Sequence, residues 1–271
     1  MEKIALPQKI EFVKGSGANN KQIIIEPCYP GYGATIGNAL RRVLLSSLPG
    51  AAVIGVKIKD ANHEFMTLPH VKEDILELVL NLKKLRLKVF SDEVVKIELD
   101  ARGEKEVKAS DIKKNSLVEI ANPDLVLGHV TDMAGSLSME IFVSQGAGYV
   151  TVESREGAKN EIGYIEMDSI FSPVLSVGVN IENVRIGKMT NWDKLILDLT
   201  TDGTITPEDA FNKSVDILIN QFNALVGKTA EEKIEAKIES AETKEAIEVE
   251  EEAEETDEDK KSKKRGRPKK S

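Results

Sequence analysis

The stretch TIGNALRRVLLSSLPG, residues 35–50, decides how the chain is read. Ile36, Leu40, Val43, Leu44 and Ser47 recur at helical spacing, and Pro49-Gly50 stops the run. The opposite face carries Asn38, Arg41, Arg42 and also Leu45. A leucine set beside two arginines on an outward face fits a surface that meets another chain.

Upstream, QIIIEPC (22–28) reads as a strand closed by the turn-forming Pro30-Gly31. Downstream the pattern turns mostly β: residues 52–60 and 94–100 alternate between apolar and polar side chains. Between them, VKEDILELVLNLK (71–83) reads as an amphipathic helix with Val71, Ile75, Leu78, Val79 and Leu82 inward. Residues 136–144 and 149–154 are expected to form a hairpin across 145–148, and further β structure is expected at 173–185 and 194–200.

The last ordered element opens on Thr206-Pro207-Glu208-Asp209. Thr206 suits the N-cap, Pro207 the first turn, and the two carboxylates the positive end of the helix dipole. Phe211, Val215, Leu218, Phe222 and Leu225 form its stripe, and Ile217, Ile219, Ala224 and Val226 widen it. A terminal helix apolar on more than one side needs more than one cover. Its own sheet and a second copy of the chain supply two; the alternative is a fully internal helix. The fold class expected is α+β.

The chain has 271 residues, 41% hydrophobic and 4% aromatic, with a formal charge of −9 that is unevenly spread. Residues 229–259 hold 15 acidic side chains against 3 lysines, a net of −12, whereas residues 260–271 hold 8 basic and no acidic ones. The acidic run cannot bury enough apolar surface to offset its ordering entropy, so it is expected to be a disordered linker. The single cysteine, Cys28, excludes an intrachain disulfide. No apolar stretch approaches the roughly 20 residues that span a membrane, and the N-terminus lacks the apolar core of a signal peptide. A cytoplasmic location is expected.

Catalytic groupings are hard to find. His63, His70 and His129 lie far apart, and one cysteine allows no zinc pattern. There is no G-x-S-x-G elbow. Gly31-Tyr32-Gly33 followed by Gly37 has the spacing of neither dinucleotide nor triphosphate loops, and reads as a glycine-rich turn into a helix. Glu73-Asp74 and Glu208-Asp209 have structural explanations at helix starts. No metal, cofactor or catalytic residue is therefore expected in this chain, and binding is favoured over chemistry.

The segment GATIGNALRRVLLSSLPGAAV (33–53) closely resembles the first helix of the alpha subunits of bacterial RNA polymerase. Other stretches match in the family's order: His63-Glu64-Phe65, VKEDILELVLNLKKL (71–85), HVTD (129–132), GYV (148–150), SPV (172–174) and DKLILDLTTDGTITPEDA (193–210). The resemblance covers roughly residues 1–228. It implies a dimerisation domain of antiparallel sheet and two helices, built from residues 1–50 and 175–228, interrupted by an inserted β-rich domain at 51–174.

It further implies a homodimer, in which Ile36, Leu40, Val43 and Leu44 of the first helix and Phe211, Val215, Leu218, Phe222 and Leu225 of the last pack against the same pair in a second copy. On that dimer the beta and beta-prime subunits of a DNA-directed RNA polymerase assemble, and they carry the nucleotidyltransferase chemistry of transcription. Arg42 matches the position tied to the beta subunit, with Asn38 and Arg41 on the same face by helical count. Lys83 matches a position tied to beta-prime, and Ser172 and Pro173 a similar one. An arginine fork makes planar, charge-assisted contacts that lysine does not reproduce.

Family members continue through a linker into a small helical DNA-contacting domain, and no such pattern follows Lys228 here. Instead Arg265, Gly266, Arg267 and Pro268, set among lysines, look like an AT-hook for A·T-rich minor grooves. The expectation is a basic tail (260–271) that anchors upstream DNA; a merely solubilising polycation is the plainer alternative. The competing reading of the whole chain is a dimeric DNA-binding protein acting through that tail.

Overall fold

A computed structural model of the chain describes residues 4–155, 163–187 and 189–226. In chain order the elements begin with β1 (Lys9–Lys14), β2 (Asn20–Cys28), α1 (Tyr32–Ser46), β3 (Pro49–Ile58) and α2 (Ile75–Leu82). They continue with β4 (Leu87–Val89), β5 (Val95–Arg102), β6 (Lys105–Lys108), β7 (Val118–Ile120), β8 (Val126–Val130) and β9 (Ser136–Ala147). The last are β10 (Tyr149–Val150), β11 (Tyr164–Glu166), β12 (Ser169–Ile170), β13 (Val174–Ile186), β14 (Met189–Thr201) and α3 (Pro207–Leu225). The fold is α+β and its strand pairs are antiparallel.

The two ends of the described chain meet in one sheet, ordered β1-β2-β14-β13. Alternation dictates its buried face: Ile23 and Ile25 on β2 lie beside Leu195, Leu197 and Leu199 on β14. Helix α1 packs on this sheet through Gly37, where an added Cβ would lie 2.8 Å from both Leu195 and Val179.

The described residues between α1 and β13 are organised around a second sheet, β11-β3-β9-β5, with the small pairs β4-β7, β6-β8 and β10-β12. Ile75, Leu78, Val79 and Leu82 of α2 join Ile97, Leu99, Ile141 and Val143 in a continuous hydrophobic core. No member of that core comes from the first sheet.

Three sequence expectations are corrected. Residues 136–144 do not form a hairpin with 149–154: β9 runs on to Ala147 and pairs with β3 and β5, while Tyr149–Val150 pairs with β12. Gly146 belongs to β9 rather than to a turn, and its missing Cβ admits the Phe171 ring, which lies 2.8 Å from where that Cβ would sit. Helix α2 starts at Ile75, not Val71. Asp74 caps it by accepting from the Glu77 N–H (2.7 Å), and Val71 instead bridges to Val130. Strand β1, unmarked by any clean alternation, pairs along β2.

The chain divides into two compact units, Met1–Asp216 and Ile217–Ser271, with the cut inside α3. The first unit closes where burial along α3 ends, since Pro207, Ala210, Phe211 and Ser214 are its only buried residues. The acidic segment 229–259 and the basic tail with Arg265, Gly266, Arg267 and Pro268 lie outside the described residues.

Candidate partner-binding surface

Helix α1 is positioned before it presents anything. Its first turn carries no acidic residue, and Gly31 enters it at φ 82°, a left-handed conformation that favours glycine. The missing carboxylate comes from β14. Asp193, buried, accepts from the backbone N–H groups of Gly31 (2.9 Å) and Gly33 (3.0 Å) through the same Oδ2. A carboxylate on two orphan donors at the positive end of a helix both satisfies them and complements the dipole. Gly33 permits the approach, because a Cβ there would lie 3.0 Å from the Asp193 side chain. Tyr29 meets Tyr32 and Trp192 edge-on, each at 5.8 Å between ring centroids, and packs the same junction.

With the helix fixed, its two faces separate. Leu40 and Leu44 are buried on the sheet side, and Ile36 and Val43 are half-buried. Asn38, Arg41, Arg42 and Leu45 are exposed. Among the described residues, neither guanidinium has an ion-pair or hydrogen-bond partner, so both forks are open to an incoming carboxylate or carbonyl.

The dimer-face expectation splits in the same manner. Phe211 is buried and meets Phe12 edge-on at 5.9 Å, so it belongs, with Leu40 and Leu44, to the chain's own interior. Val215 and Leu218 are half-buried. Phe222 and Leu225 are 60% and 83% exposed, accompanied by exposed Ile219 and Val226. Together they leave an apolar row at the end of α3 exposed.

Lys83, just past α2, lies 3.6 Å from Asp168. Asp168 also accepts from the Val152 N–H (3.0 Å) and the Tyr149 hydroxyl. The Val152 N–H is the strongest influence holding its carboxyl below the ordinary range; burial opposes it, and Tyr149 and Lys83 reinforce it. Ser172 and Pro173 are not surface residues of this chain. Both are buried where it crosses from the second sheet into β13, and the Pro173 carbonyl accepts from the Asp202 N–H (3.0 Å).

The histidines do not converge. His129 Nδ1 lies 2.5 Å from the buried Glu73 carboxylate, whose second oxygen accepts the His129 backbone N–H at 2.7 Å. Among the described residues no group of three or more His, Cys, Asp or Glu side chains is placed to hold a metal ion. No described helix is long and apolar enough to cross a membrane.

Sequence reasoning missed Asp193. The signal was present: Asp193 shares its parity with Leu195, Leu197 and Leu199, so it points inward, and an inward acid demands partners.

Residues 56–172 match the sequence model of the RNA polymerase Rpb3/RpoA insert domain. The chain is similar to the DNA-directed RNA polymerase subunit alpha of Oceanobacillus iheyensis, 45% identical over 224 residues, covering 82% of this chain and 71% of that protein. It is 46% identical over 222 residues to the subunit of the same name from Desulforamulus reducens, covering 82% and 70%. Against that of Carboxydothermus hydrogenoformans it is 46% identical over 205 residues, covering 76% and 65%. The chain thus spans about two thirds of the length of these relatives.

Proposed function

The chain belongs to the family of DNA-directed RNA polymerase alpha subunits, and from that premise we propose that it acts as the assembly platform of a transcribing polymerase. Two copies associate through the exposed apolar residues of α3, with α1 alongside, and the pair receives the beta and beta-prime subunits. Nucleotidyl transfer falls to those large subunits, and this chain supplies docking and orientation. Arg42 grips the beta subunit, flanked by Arg41 and Asn38, while Lys83, steadied by Asp168, serves beta-prime.

The observation that supports this reading best is the outward face of α1. Two unpartnered guanidinium groups sit on a helix whose other face is locked to the sheet and whose start is held by Asp193. A rigid element with open, fork-shaped donors suits planar recognition of a partner's carboxylate or backbone carbonyls. Such contacts are worth about 1.5–3 kcal/mol each when desolvated.

Co-expression with beta and beta-prime tests it. Arg42→Ala is expected to leave the dimer intact and to reduce recovery of the beta-containing complex at least tenfold, with Arg42→Lys restoring little. Normal recovery by the alanine variant removes Arg42 from the role.

A further inference from the structure

A second candidate surface lies on another part of the molecule. Two adjoining cavities, of about 450 and 230 Å³, share Lys88, Thr204, Ile205 and Lys213 as walls and so form one elongated groove. It runs along the seam between β4 and the turn that leads into α3.

One half of the groove is aliphatic, lined by Pro49, Ala51, Leu87, Val89 and Pro173. The other half is polar, and its acids are already engaged. Glu208 pairs with Lys21, while Asp209 accepts the Thr206 hydroxyl at 2.7 Å within the helix cap. Lys88 and Lys213 remain, and among the described residues neither has an ion-pair or hydrogen-bond partner. Lys88 and Lys213 line the same cleft, so a single anionic occupant can pair with both.

We propose that this groove docks an extended acidic peptide segment of a partner protein, with apolar residues next to its carboxylates. The apolar half would hold one or two aliphatic side chains, and Lys88 and Lys213 the flanking carboxylates. A small inorganic anion leaves the aliphatic half unused. Single-stranded nucleic acid is disfavoured because neither half offers an aromatic ring for a base to stack on. The surface shares no residue with the outward face of α1.

The probe is a fluorescently labelled, end-capped hexapeptide of alternating leucine and glutamate, titrated into the full-length chain and followed by anisotropy. Binding is expected at low ionic strength and weakens as salt rises. Lys213→Glu, at an exposed position that does not threaten folding, is expected to weaken it about tenfold, and Lys88→Glu similarly. Lys114→Glu, at an exposed lysine elsewhere, leaves it unchanged. The proposal is overturned if the full-length chain does not bind the peptide, if Lys213→Glu binds it equally well, or if the corresponding leucine-lysine peptide binds as tightly. Tighter binding of an oligothymidylate or of tripolyphosphate also overturns it, in favour of a nucleic-acid or a simple anion site.

Discussion

Helices α1 and α2 both begin on an aspartate, but the two aspartates come from different distances along the chain. Asp74 immediately precedes α2 and caps it three residues on, at Glu77. Asp193 reaches α1 from 162 and 160 residues away, at Gly31 and Gly33. The first cap is available as soon as the local segment turns. The second exists only once β14 has paired with β2 and the two ends of the chain have met in one sheet. The helix with structural work inside its own region is therefore capped locally. The helix that carries Arg41 and Arg42 on its outward face is fixed only when the fold is complete, which under the proposed function would tie readiness for assembly to correct folding.

Breaking each cap separates the two cases, and the larger effect is expected at the distant one. Asp193→Ala leaves the buried Gly33 N–H without an acceptor, a loss of about 1–3 kcal/mol, and frees the part-buried Gly31 N–H, which water can reach at smaller cost. Asp74→Ala, at a solvent-accessible cap, is expected to cost about 1 kcal/mol. Chemical denaturation measures both. The sharper contrast lies in assembly: Asp193→Ala should reduce recovery of the large subunits although Arg42 is untouched, and speed amide exchange in the first turn of α1. Asp74→Ala should do neither. Equal assembly by the two variants would break the link between the sheet and the arginine face.

The same contrast explains what the sequence made legible. Helices α1 and α3 were readable because their apolar positions repeat at helical spacing, and because Pro49 and Thr206 mark a stop and a start. The alternating strands β3, β5 and β14 were readable for the analogous reason. What escaped was long-range. The start of α2 moves to Ile75 because Glu73 is drawn to His129, 56 residues on. Gly146 serves an aromatic ring from Phe171 rather than a turn. Of the candidate site, the composition of the α1 face was legible in full, whereas the anchor that orients it was not. Leu40, Leu44 and Phe211 looked equivalent to Phe222 and Leu225 by spacing alone; only packing separates the buried members from the exposed ones.

The Glu73–His129 contact sharpens the comparison from the side of α2, with a smaller effect confined to acid pH. Burial pushes the Glu73 carboxyl up, but hydrogen bonds from the His129 ring and backbone outweigh it and leave the group below its ordinary value. A carboxyl depressed in the folded state contributes stability that is present above its unfolded pKa of about 4.3 and is lost as pH falls through the folded value. The stability of Glu73→Gln should therefore fall less steeply than wild type below pH ~4.3, with the difference between the two constant at higher pH. Urea midpoints measured across the acid range read this directly. Parallel acid limbs would show that Glu73 is not held by His129.

The smallest effect on the chain's own stability is expected at the exposed end of α3, and there the comparison turns from folding to association. Phe222 is 60% exposed, so truncating it removes little packing within the chain, and the intrinsic change should stay within about 0.5 kcal/mol. If its ring is instead covered by a second copy, as proposed, the loss appears only where association contributes. Binding of a second copy stabilises the native state by mass action, so the wild-type unfolding midpoint should rise with protein concentration. Phe222→Ala should remove most of that rise while leaving the midpoint at the lowest concentrations unchanged. A buried aromatic anchor is worth about 2 kcal/mol or more, which corresponds to a dimer dissociation constant weakened roughly 30-fold. Sedimentation velocity across the same concentrations reads that shift independently of unfolding. A concentration-independent midpoint in the wild type would overturn association through α3, and a drop in Phe222→Ala that is the same at every concentration would mean that Phe222 contributes within the chain rather than between two copies.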